Sequence, residues 1–273
     1  MPESPEVLHL SQKINENIKN KSLVSVKILK GRYITHGPPN NYKEFIKQLP
    51  LKCLNIHKKG KVIFFYFENN WCLISKLGMS GWWFFENESP DWLPKYENVI
   101  FEFKNIKLIF TDFRNFGTLT FTNDQQHIEK EITKLAPDIT DKRTTFKILL
   151  DRINNLSLSQ QNQLLEDIII NQKIIVSGIG NYLKAEILYD AKINPLRKVQ
   201  SLSKEEWYQF YHSTKKIIKK MLKALESNDP DKYMSSMKIY GRKTDPFGNK
   251  IRTHKTKTGR TTYYVPQKQK FLI

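Results

Sequence analysis

The chain has 273 residues, 39% of them hydrophobic and 12% aromatic, which is enough apolar material for packed cores, so wholesale disorder is not expected. Lysine and arginine number 45 against 27 acidic residues, and the formal charge of +18 favours a polyanionic partner, nucleic acid before membrane, over a protein that is merely basic. No run approaches the roughly 18 apolar residues of a membrane span, and the acidic start lacks the apolar segment of a signal peptide, so an intracellular, soluble protein is expected.

The two cysteines, Cys53 and Cys72, both lie in apolar stretches. This pattern fits a reducing compartment and excludes a disulfide framework. Neither cysteine belongs to a CxxC motif, and the six histidines form no HExxH or HxH pattern, so the sequence predicts no metal site and no cofactor. A monomer is expected.

The first predicted element is a helix that starts within MPESPEV. Ser4 suits the N-cap, Pro5 the first turn, and Glu6 the positive end of the helix dipole. Apolar residues then recur at helical spacing, which predicts an amphipathic helix with one buried face. They are Val7, Leu10, Ile14 and Ile18.

Pro2 precedes this helix, with Glu3 beside it. If Met1 is removed, Pro2 carries an amino-terminal secondary amine that can attack a carbonyl carbon and form an iminium. The alternative interpretation is an ordinary helix preceded by an inert start.

Residues 23–122 mostly predict strands, because short runs rich in β-branched and aromatic residues are separated by Asn, Gly or Pro. The runs are LVSVKIL, KVIFFYF, WCLISKL, NVIFEF, KLIFTDF and TLTFT, and NYKEFIKQL predicts one short helix among them. Strands and helices do not alternate, so the sheets are expected to be antiparallel and to form a sandwich or barrel.

The apolar period changes near APDITDKRTT, and the chain is predicted to be helical from about 145 to 226. Ser203 and Glu206 form a predicted capping box ahead of the long helix WYQFYHSTKKIIKKMLKAL. The last stretch, about 238–270, is rich in Gly and Lys and has short β signals, RTTYYV being the clearest. A β domain, a linker, a helical domain and a small basic appendix are therefore expected.

Two glycines precede a predicted helix in SGIGNYLKAEILY. Gly178 and Gly180 allow backbone N–H groups to approach a phosphate near Asn181, where the helix dipole also favours negative charge. A tight turn is the alternative for such a pattern. Lys61 in KKGKVIFF is predicted at the entry of a strand, where packing holds it more firmly than a loop would; a solvated surface lysine is the alternative.

Further candidates lie on predicted turns. KLGMSGWW places Met79 between glycines, and DFRNFG carries Arg114 and Phe116. Such residues can fill a gap in a base stack, although a buried Met and Phe beside a surface Arg is the alternative. IYGRK and TKTGRTTYY place three cations in a basic hairpin suited to phosphate contacts. These cations are Arg242, Lys243 and Arg260.

In chain order, the motifs MPE-x-PE, KGK, LGMSG, D-x-R-x-FG, GIGNYL-x-AE-I-L and YGRK…GRTTYY resemble the formamidopyrimidine-DNA glycosylase / endonuclease VIII family. The resemblance runs from residue 2 to about 266 and is greatest to endonuclease VIII-like enzymes of viral or eukaryotic type with a zincless finger. It implies an α+β multidomain protein. The implied parts are a catalytic antiparallel β-sandwich with a leading helix (1–125), a linker (126–145), a helix-two-turn-helix DNA-binding domain (146–237) and a zincless finger hairpin (238–273).

The resemblance also implies a DNA glycosylase and AP lyase of base excision repair, acting on damaged duplex or single-stranded DNA. Pro2 would be the Schiff-base nucleophile at C1′, and Glu3 its proton-transfer partner. Glu6 would shape the site, Lys61 would assist β-elimination, and Arg260 would bind phosphate and assist δ-elimination. The implied DNA contacts are Met79, Tyr96, Arg114, Phe116, Gly180, Asn181, Arg242 and Lys243.

The chain departs from the family pattern near its end. Most bacterial members carry CxxC…CxxC zinc ligands there, whereas DPFGNKIRTHKTKTGRTTYYVPQKQ contains no cysteine, so no zinc is expected. A second departure is Ser4, which stands where endonuclease VIII enzymes usually carry Gly.

Two features bear on the substrate. About a dozen residues separate Leu225 from IYGRK, fewer than the lesion-capping loop of purine-specific members has. Glu166 and Asp167 lie where those members usually carry a lysine. Both features favour oxidised pyrimidines over 8-oxoguanine. A purine-directed formamidopyrimidine glycosylase, or a non-catalytic DNA-binding module, is the alternative.

Overall fold

A computed structural model of the chain describes residues 2–88, 90, 93–227 and 229–269; Met1, whose removal the Pro2 hypothesis requires, lies outside them. Internal contacts divide the chain into two compact units. The first unit comprises Pro2 and Val7–Thr133, and the second comprises Glu3–Glu6 and the chain from Lys134 onward. Within the described ranges, no helix is long and apolar enough to cross a membrane.

The first unit is an antiparallel sheet that, over the described residues, has eight strands. They are β1 (Ser22–Ile28), β2 (Leu51–Lys59), β3 (Val62–Phe67), β4 (Cys72–Lys76), β5 (Trp82–Phe85), β6 (Glu97–Phe103), β7 (Ile106–Thr111) and β8 (Thr118–Thr122). Their spatial order is β5-β7-β6-β1-β2-β3-β4-β8. The six strands predicted from sequence are all among them.

The sheet folds over on itself, because aromatic side chains of distant strands meet in one core. Trp83 in β5 and Phe65 in β3 have ring centroids 5.2 Å apart, and the Trp83 indole N–H donates to Ser75 Oγ in β4 at 3.1 Å. β5 and β3 stand five places apart in the strand order, which would separate them by about 24 Å in a flat sheet. The expected antiparallel β-sandwich is therefore confirmed.

Four α-helices accompany these strands in the described sequence up to Thr133. They are α1 (Ser4–Ile18), α2 (Arg32–Thr35), α3 (Tyr42–Ile46) and α4 (Gln125–Thr133). The apolar face predicted for α1 is confirmed, since Val7, Leu10, Ile14 and Ile18 are at most 4% exposed in the core of the first unit. α3 is the helix predicted from NYKEFIKQL. α4 occupies part of the segment predicted as a linker.

Three elements of the first unit, β2, β5 and α2, were not predicted from the sequence. In β2 the alternation of buried and exposed residues is interrupted by a bulge between Cys53 and Asn55, so period two is lost. β5 contains four residues and α2 forms a single turn. Segments this short carry too few residues for either period to be recognised.

The second unit is mainly helical. Its helices are α5 (Phe146–Asn154), α6 (Leu158–Gln161), α7 (Leu165–Ile168), α8 (Asn181–Asp190), α9 (Lys204–Glu226) and α10 (Pro230–Ser235). The capping box predicted from Ser203 and Glu206 is confirmed at the start of α9. Every residue of α8 from Tyr182 to Tyr189 is buried, so this helix runs through the core of the unit.

A two-stranded hairpin follows these helices. β9 (Arg252–Lys255) pairs antiparallel with β10 (Thr261–Tyr264), with Thr261 opposite Lys255. The β signal RTTYYV is confirmed. Ile251 and Val265, at the ends of the hairpin, join an apolar cluster with Ala185 and Tyr189 of α8. The hairpin is thereby attached to the central helix.

Candidate active site and nucleic-acid interface

Glu3 is bound to the start of α8. Its carboxylate accepts hydrogen bonds from three backbone N–H groups, those of Gly180 at 2.7 Å, Tyr182 at 3.0 Å and Leu183 at 3.1 Å. These groups lie at the positive end of the helix dipole, where a negative charge is stabilised. Glu3 is 2% exposed, so the helix fixes the position of its carboxylate.

The glycines before α8 allow this approach. Gly178 has φ +106°, and a Cβ at that position would lie 2.4 Å from Ser4 Oγ. The N–H of Gly180, for which the sequence suggests a phosphate, is bound to Glu3 instead. Like a phosphate, the Glu3 carboxylate is an anion, and it occupies the N–H donors that the sequence suggests for a phosphate. Phosphate binding by Gly180 and Asn181 stays a prediction.

Glu6 is held by two tyrosine hydroxyls. Tyr182 donates to Glu6 Oε2 at 2.7 Å, and Tyr233 donates to Oε1. Burial raises the pKa of Glu6 above its ordinary value, and the hydrogen bonds from Tyr233 and Tyr182 oppose this rise. The Glu3 N–H also donates to Glu6 Oε2 at 3.2 Å, so the buried Glu3 and the half-buried Glu6 are neighbours in the second unit.

Ser4 does not cap α1, contrary to the sequence prediction. The helix begins at Ser4 itself. Ser4 Oγ lies 3.5 Å from Asp138 Oδ1, and the Ser4 N–H donates to Gly178 O at 3.0 Å. The bond from the Glu3 N–H to Glu6 is half of a capping box with Glu3 in the N-cap position. Ser4 is fully buried, so the pocket around it accepts a small side chain.

Pro2 and Lys61 belong to the first unit. Pro2 is half-buried and is joined by its peptide bond to Glu3. Lys61 lies in the turn between β2 and β3 and immediately precedes β3, as the sequence predicts. The turn is tight, with Gly60 at φ +59°, and Lys61 is half-buried.

Met79, Arg114 and Phe116 lie together on two loops of the first unit. Met79 is 40% exposed and Phe116 is 56% exposed, which contradicts the alternative that both are core residues. The Arg114 guanidinium carbon stands 5.1 Å from the centre of the Phe116 ring, a cation–π arrangement. Apolar and cationic side chains are therefore presented to solvent side by side.

A buried aspartate joins these two loops. Asp112 accepts hydrogen bonds from the Gly117 N–H at 2.5 Å, the Arg114 N–H at 3.2 Å and the Ser80 hydroxyl. Gly78 allows the contact, because it has φ +61° and a Cβ there would lie 2.7 Å from Gly117 N. Neither Asp112 nor Ser80 was predicted as a site residue, although Asp112 belongs to the motif D-x-R-x-FG and Ser80 to LGMSG.

Asn181 and Arg260 are brought together in the second unit. Asn181 Nδ2 donates to the carbonyl of Thr261, the residue after Arg260, at 2.7 Å. Thr256 fixes Arg260 across the hairpin turn: the Thr256 N–H donates to Arg260 O at 2.8 Å, and the Arg260 N–H donates to Thr256 Oγ1 at 3.1 Å. The arginine backbone is therefore anchored beside the start of α8.

Comparison with protein families covers both units. The formamidopyrimidine-DNA glycosylase N-terminal domain matches residues 1–119, and the formamidopyrimidine-DNA glycosylase H2TH domain matches residues 135–230. A formamidopyrimidine-DNA glycosylase of Ligilactobacillus salivarius is 30% identical over 209 residues, 76% of this chain and 72% of that protein. The chain belongs to the formamidopyrimidine-DNA glycosylase family.

Relatives of full length agree with this assignment. A formamidopyrimidine-DNA glycosylase of Listeria innocua is 28% identical over 285 residues, which are 99% of this chain and 100% of that protein. The crystal structure of Lactococcus lactis Fpg (MutM) with an oxidized pyrimidine-containing DNA has a TM-score of 0.81 at 22% identity, covering 99% of this chain and 100% of that chain. The family is one of DNA-repair glycosylases with AP lyase activity. The finer resemblance, to zincless endonuclease VIII-like enzymes, stays a prediction.

Arg242 and Lys243 were predicted to lie in the basic hairpin; both are exposed, but they precede its first strand, β9, by ten and nine residues. Glu186 fixes the segment just before them: its buried carboxylate accepts the backbone N–H groups of Lys238 at 2.8 Å, Ile239 at 2.8 Å and Tyr240 at 2.9 Å. Glu186 was not predicted as a functional residue, although it belongs to the motif GIGNYL-x-AE-I-L.

Tyr96 lies in the first unit beside an exposed aromatic residue that the sequence analysis missed. Its ring centroid is 5.9 Å from that of Phe113, which is 61% exposed and immediately precedes Arg114. An exposed aromatic beside a candidate gap-filling loop offers a stacking surface to a base. The signal for Phe113 was its position within DFRNFG.

The cysteines do not fit a zinc site in the hairpin. Cys53 and Cys72 are both buried in the first unit, and burial raises the pKa of each thiol to about 12, so neither supplies a thiolate near neutral pH. No group of three or more potential ligand residues gathers anywhere in the described chain.

Proposed function

We propose that the chain is a bifunctional DNA glycosylase and AP lyase that removes oxidised bases through a Schiff base at Pro2. The observation that carries the proposal is the Glu3 carboxylate, buried and bound by three N–H groups of the α8 start directly beside Pro2 in the chain. The Pro2 amine can act as the nucleophile, and the adjacent, fixed Glu3 carboxylate can act as its proton-transfer partner.

The chemistry follows from these groups. With Met1 removed, the Pro2 nitrogen lone pair attacks C1′ of the damaged nucleotide, and the C1′–N bond breaks as the base leaves with its electron pair and gains a proton. The sugar ring opens to give an iminium between Pro2 and C1′, which acidifies the C2′ proton. Loss of that proton expels the 3′ phosphate by β-elimination, and loss of a C4′ proton expels the 5′ phosphate by δ-elimination. Hydrolysis of the imine regenerates the amine.

The remaining candidates take roles that match their places. Glu3 moves protons at the sugar, Glu6 maintains the corner that holds Glu3, and Lys61 binds the lesion's phosphate or sugar. Arg260, anchored through Thr256 beside Asn181, binds a phosphate and assists δ-elimination. Met79, Arg114 and Phe116 fill the space left when the damaged base leaves the stack, because they are exposed and lie on loops joined by Asp112.

The hairpin serves as a zincless finger in this proposal. It contains no cysteine, and hydrogen bonds from α8 to β10 hold it: Asn181 Nδ2 bonds Thr261 O, and Lys184 Nζ bonds Thr262 Oγ1. Arg242, Lys243 and Arg260 would then track phosphates, which predicts affinity that falls steeply with salt.

For the base, we favour oxidised pyrimidines. The stretch between α9 and Tyr240, which is short in sequence, contains the helix α10, whose Tyr233 is bound to Glu6 rather than free to cover a lesion. Glu166 and Asp167 occupy α7, where a lysine is usual in purine-directed members. Acidic side chains there offer no cation to a purine carbonyl.

The relatives' names support the second candidate, a purine-directed formamidopyrimidine glycosylase. A name alone does not separate the two, since the Lactococcus lactis Fpg was crystallised with DNA that contains an oxidized pyrimidine. Parallel single-turnover excision from thymine glycol and 8-oxoguanine duplexes discriminates them. Faster excision of thymine glycol is expected; a clear preference for 8-oxoguanine would establish the second candidate.

The chemistry itself is tested by borohydride trapping on an oligonucleotide with one abasic site, with the N-terminus of the same protein measured by mass spectrometry. We expect a covalent adduct that maps to an amino-terminal Pro2, and no adduct from Pro2→Gly. Protein shown to begin at Pro2 that forms no adduct would favour the non-catalytic DNA-binding module.

A further inference from the structure

A cluster of charged side chains is buried between α7, α8 and the hairpin. Glu166 in α7 and Lys184 in α8 are both 0% exposed. Lys184 Nζ donates to Thr262 Oγ1 in β10 at 2.6 Å and to the backbone carbonyl of Glu166 at 3.3 Å. Glu166 Oε1 lies 2.7 Å from His254 Nδ1 in β9. Two helices and both strands of the hairpin therefore meet at one group of polar atoms.

Burying these charges is costly. Moving a charged side chain out of water costs several kcal/mol unless partners compensate. Part of the compensation comes from the hairpin. Lys184 Nζ donates to Thr262 Oγ1 as well as to the Glu166 carbonyl. The Glu166 carboxylate oxygens have no hydrogen-bond partner within the described residues, and Oε1 lies 2.7 Å from His254 Nδ1. If the hairpin moved away, both buried groups would lose these partners. The cost therefore resists displacement of the hairpin.

The cluster lies next to the residues that anchor Arg260. Thr262 is two residues beyond Arg260 in β10, and the carbonyl of the intervening Thr261 is bound by Asn181. On the other strand, His254 stands opposite Thr262 in the register. Arg260 is thus attached to α8 through consecutive residues of β10, and the electrostatic environment of Lys184 includes its guanidinium.

We propose that Lys184 and Glu166 are positioning residues, which hold the β9–β10 hairpin against α7 and α8 and thereby set the position of Arg260 without a metal. The inference rests on the proposed function for the role of Arg260, but not for the attachment of the hairpin. Lys184 and Glu166 need not touch DNA to act. Their effect is on the distance between the finger arginine and the site built around Glu3.

Two steps of the proposed reaction depend on different residues. Formation of the Schiff base uses Pro2, whereas δ-elimination uses Arg260. A hairpin displaced by about 1 Å would lower the step that depends on Arg260 by up to about 100-fold. Lys184→Met, which keeps the length of the side chain but removes its ammonium, should therefore lower the ratio of δ- to β-elimination product on an abasic duplex roughly tenfold to 100-fold. Borohydride trapping should change less than about twofold.

Four variants complete the experiment. Glu166→Gln should lower the product ratio in the same direction. Glu166→Gln combined with Lys184→Met removes both buried charges and should recover part of the ratio lost in Lys184→Met, an outcome that mere loss of packing does not give. Arg260→Gln gives the ratio of δ- to β-elimination product in the absence of the Arg260 guanidinium. Lys255→Met, at an exposed lysine of β9, is the matched control for loss of one charge from the hairpin region.

A second measurement does not depend on catalysis. Hydrogen exchange at the backbone amides of Lys255 and Thr261 should accelerate at least tenfold in Lys184→Met. Amides of β3 and β4 should keep their wild-type rates. A product ratio and hairpin exchange equal to wild type in folded Lys184→Met and Glu166→Gln would overturn the proposal. Trapping that falls in parallel with the ratio would also overturn it, as a general folding defect. Wild-type protein that forms no δ-product refutes the role of Arg260 instead, and the exchange rates then decide the attachment of the hairpin.

Discussion

Glu3 Oε2 lies 2.7 Å from the backbone nitrogen of Gly180, so the carboxylate beside the chain's first candidate nucleophile is part of a helix cap formed 177 residues later. The same oxygen accepts the Leu183 N–H at 3.1 Å, and Oε1 accepts the Tyr182 N–H at 3.0 Å. One side chain therefore has both a chemical role in the proposed reaction and a structural role at α8.

Glu3→Gln should impair both roles. The amide has one acceptor oxygen and directs its NH₂ group toward N–H donors, so we expect about 1–3 kcal/mol less stability in urea unfolding. Base excision from a lesion duplex should fall at least about 100-fold, the usual scale for a lost general acid or base. Glu16→Gln, at an exposed position of α1, is the control and should match wild type in both assays. Wild-type excision by Glu3→Gln would remove Glu3 from the mechanism.

Asp112→Ala should release the two loops that carry Met79, Arg114 and Phe116. The Ser80 hydroxyl and the Gly117 N–H lose this acceptor, and the Arg114 N–H keeps only its bond to Ser80 Oγ. We expect excision from a lesion duplex to fall about tenfold, because gap filling offsets part of the few kcal/mol that extrusion of the base costs. Cleavage of a single-stranded abasic oligonucleotide, which has no stack to fill, should fall less. Equal losses on the two substrates would argue against a loop-specific effect.

Stability should rise with pH above about 8 because of Lys184. Burial lowers the pKa of Lys184 to about 8, a shift opposed by Glu166, Asp167 and Glu3 and reinforced by Arg260. Between about 8 and the ordinary value of 10.5, the unfolded chain binds more protons at this lysine than the folded chain, so deprotonation favours folding by up to about 3 kcal/mol. Lys184→Met should flatten this part of the curve in urea unfolding from pH 7.5 to 10.5. A slope that survives the substitution would assign the pH dependence to other groups.

Tyr233→Phe should destabilise the protein more at neutral than at acidic pH. The Tyr233 hydroxyl donates to Glu6, whose pKa is raised by burial and lowered by this bond and that of Tyr182. Without the donor the charged carboxylate costs more, by about 1–3 kcal/mol at pH 7. Protonation below the raised pKa relieves that cost, so the difference from wild type should shrink as pH falls toward 4.5. Tyr208→Phe, at a half-exposed position of α9, is the control. A difference that is constant with pH would show that Glu6 is not the partner concerned.

Periodic apolar patterns accounted for much of the fold. Val7, Leu10, Ile14 and Ile18 indicated α1, the aromatic runs indicated six strands, and Ser203 with Glu206 located the start of α9. These signals are local, because each depends on residues within a few positions of one another. A bulge in β2 and the brevity of β5 removed that signal, and both strands were missed.

The site was less predictable, since its bonds join distant parts of the chain. Ser4 seemed a suitable cap, yet α1 begins one residue earlier than a Ser4 cap requires, and Glu6 supplies the cap bond. The uniform burial of α8 leaves no apolar stripe to mark it, so its glycines and Asn181 were the signal. The roles of Asp112 and Glu186 could not be read from sequence, because each carboxylate binds backbone N–H groups that carry no side-chain identity.

Glu3 and Glu6 are synthesised long before the residues that bind them in the second unit. Glu3 and Glu6 precede their partners Gly180, Tyr182 and Tyr233 by 176 to 227 residues. At a synthesis rate of about 5–20 residues per second, roughly 10–45 seconds pass before those partners have been made. During this interval Glu3 and Glu6 lack the partners that enclose them, so the removal of Met1 that the proposed chemistry requires has time to occur before the second unit is complete.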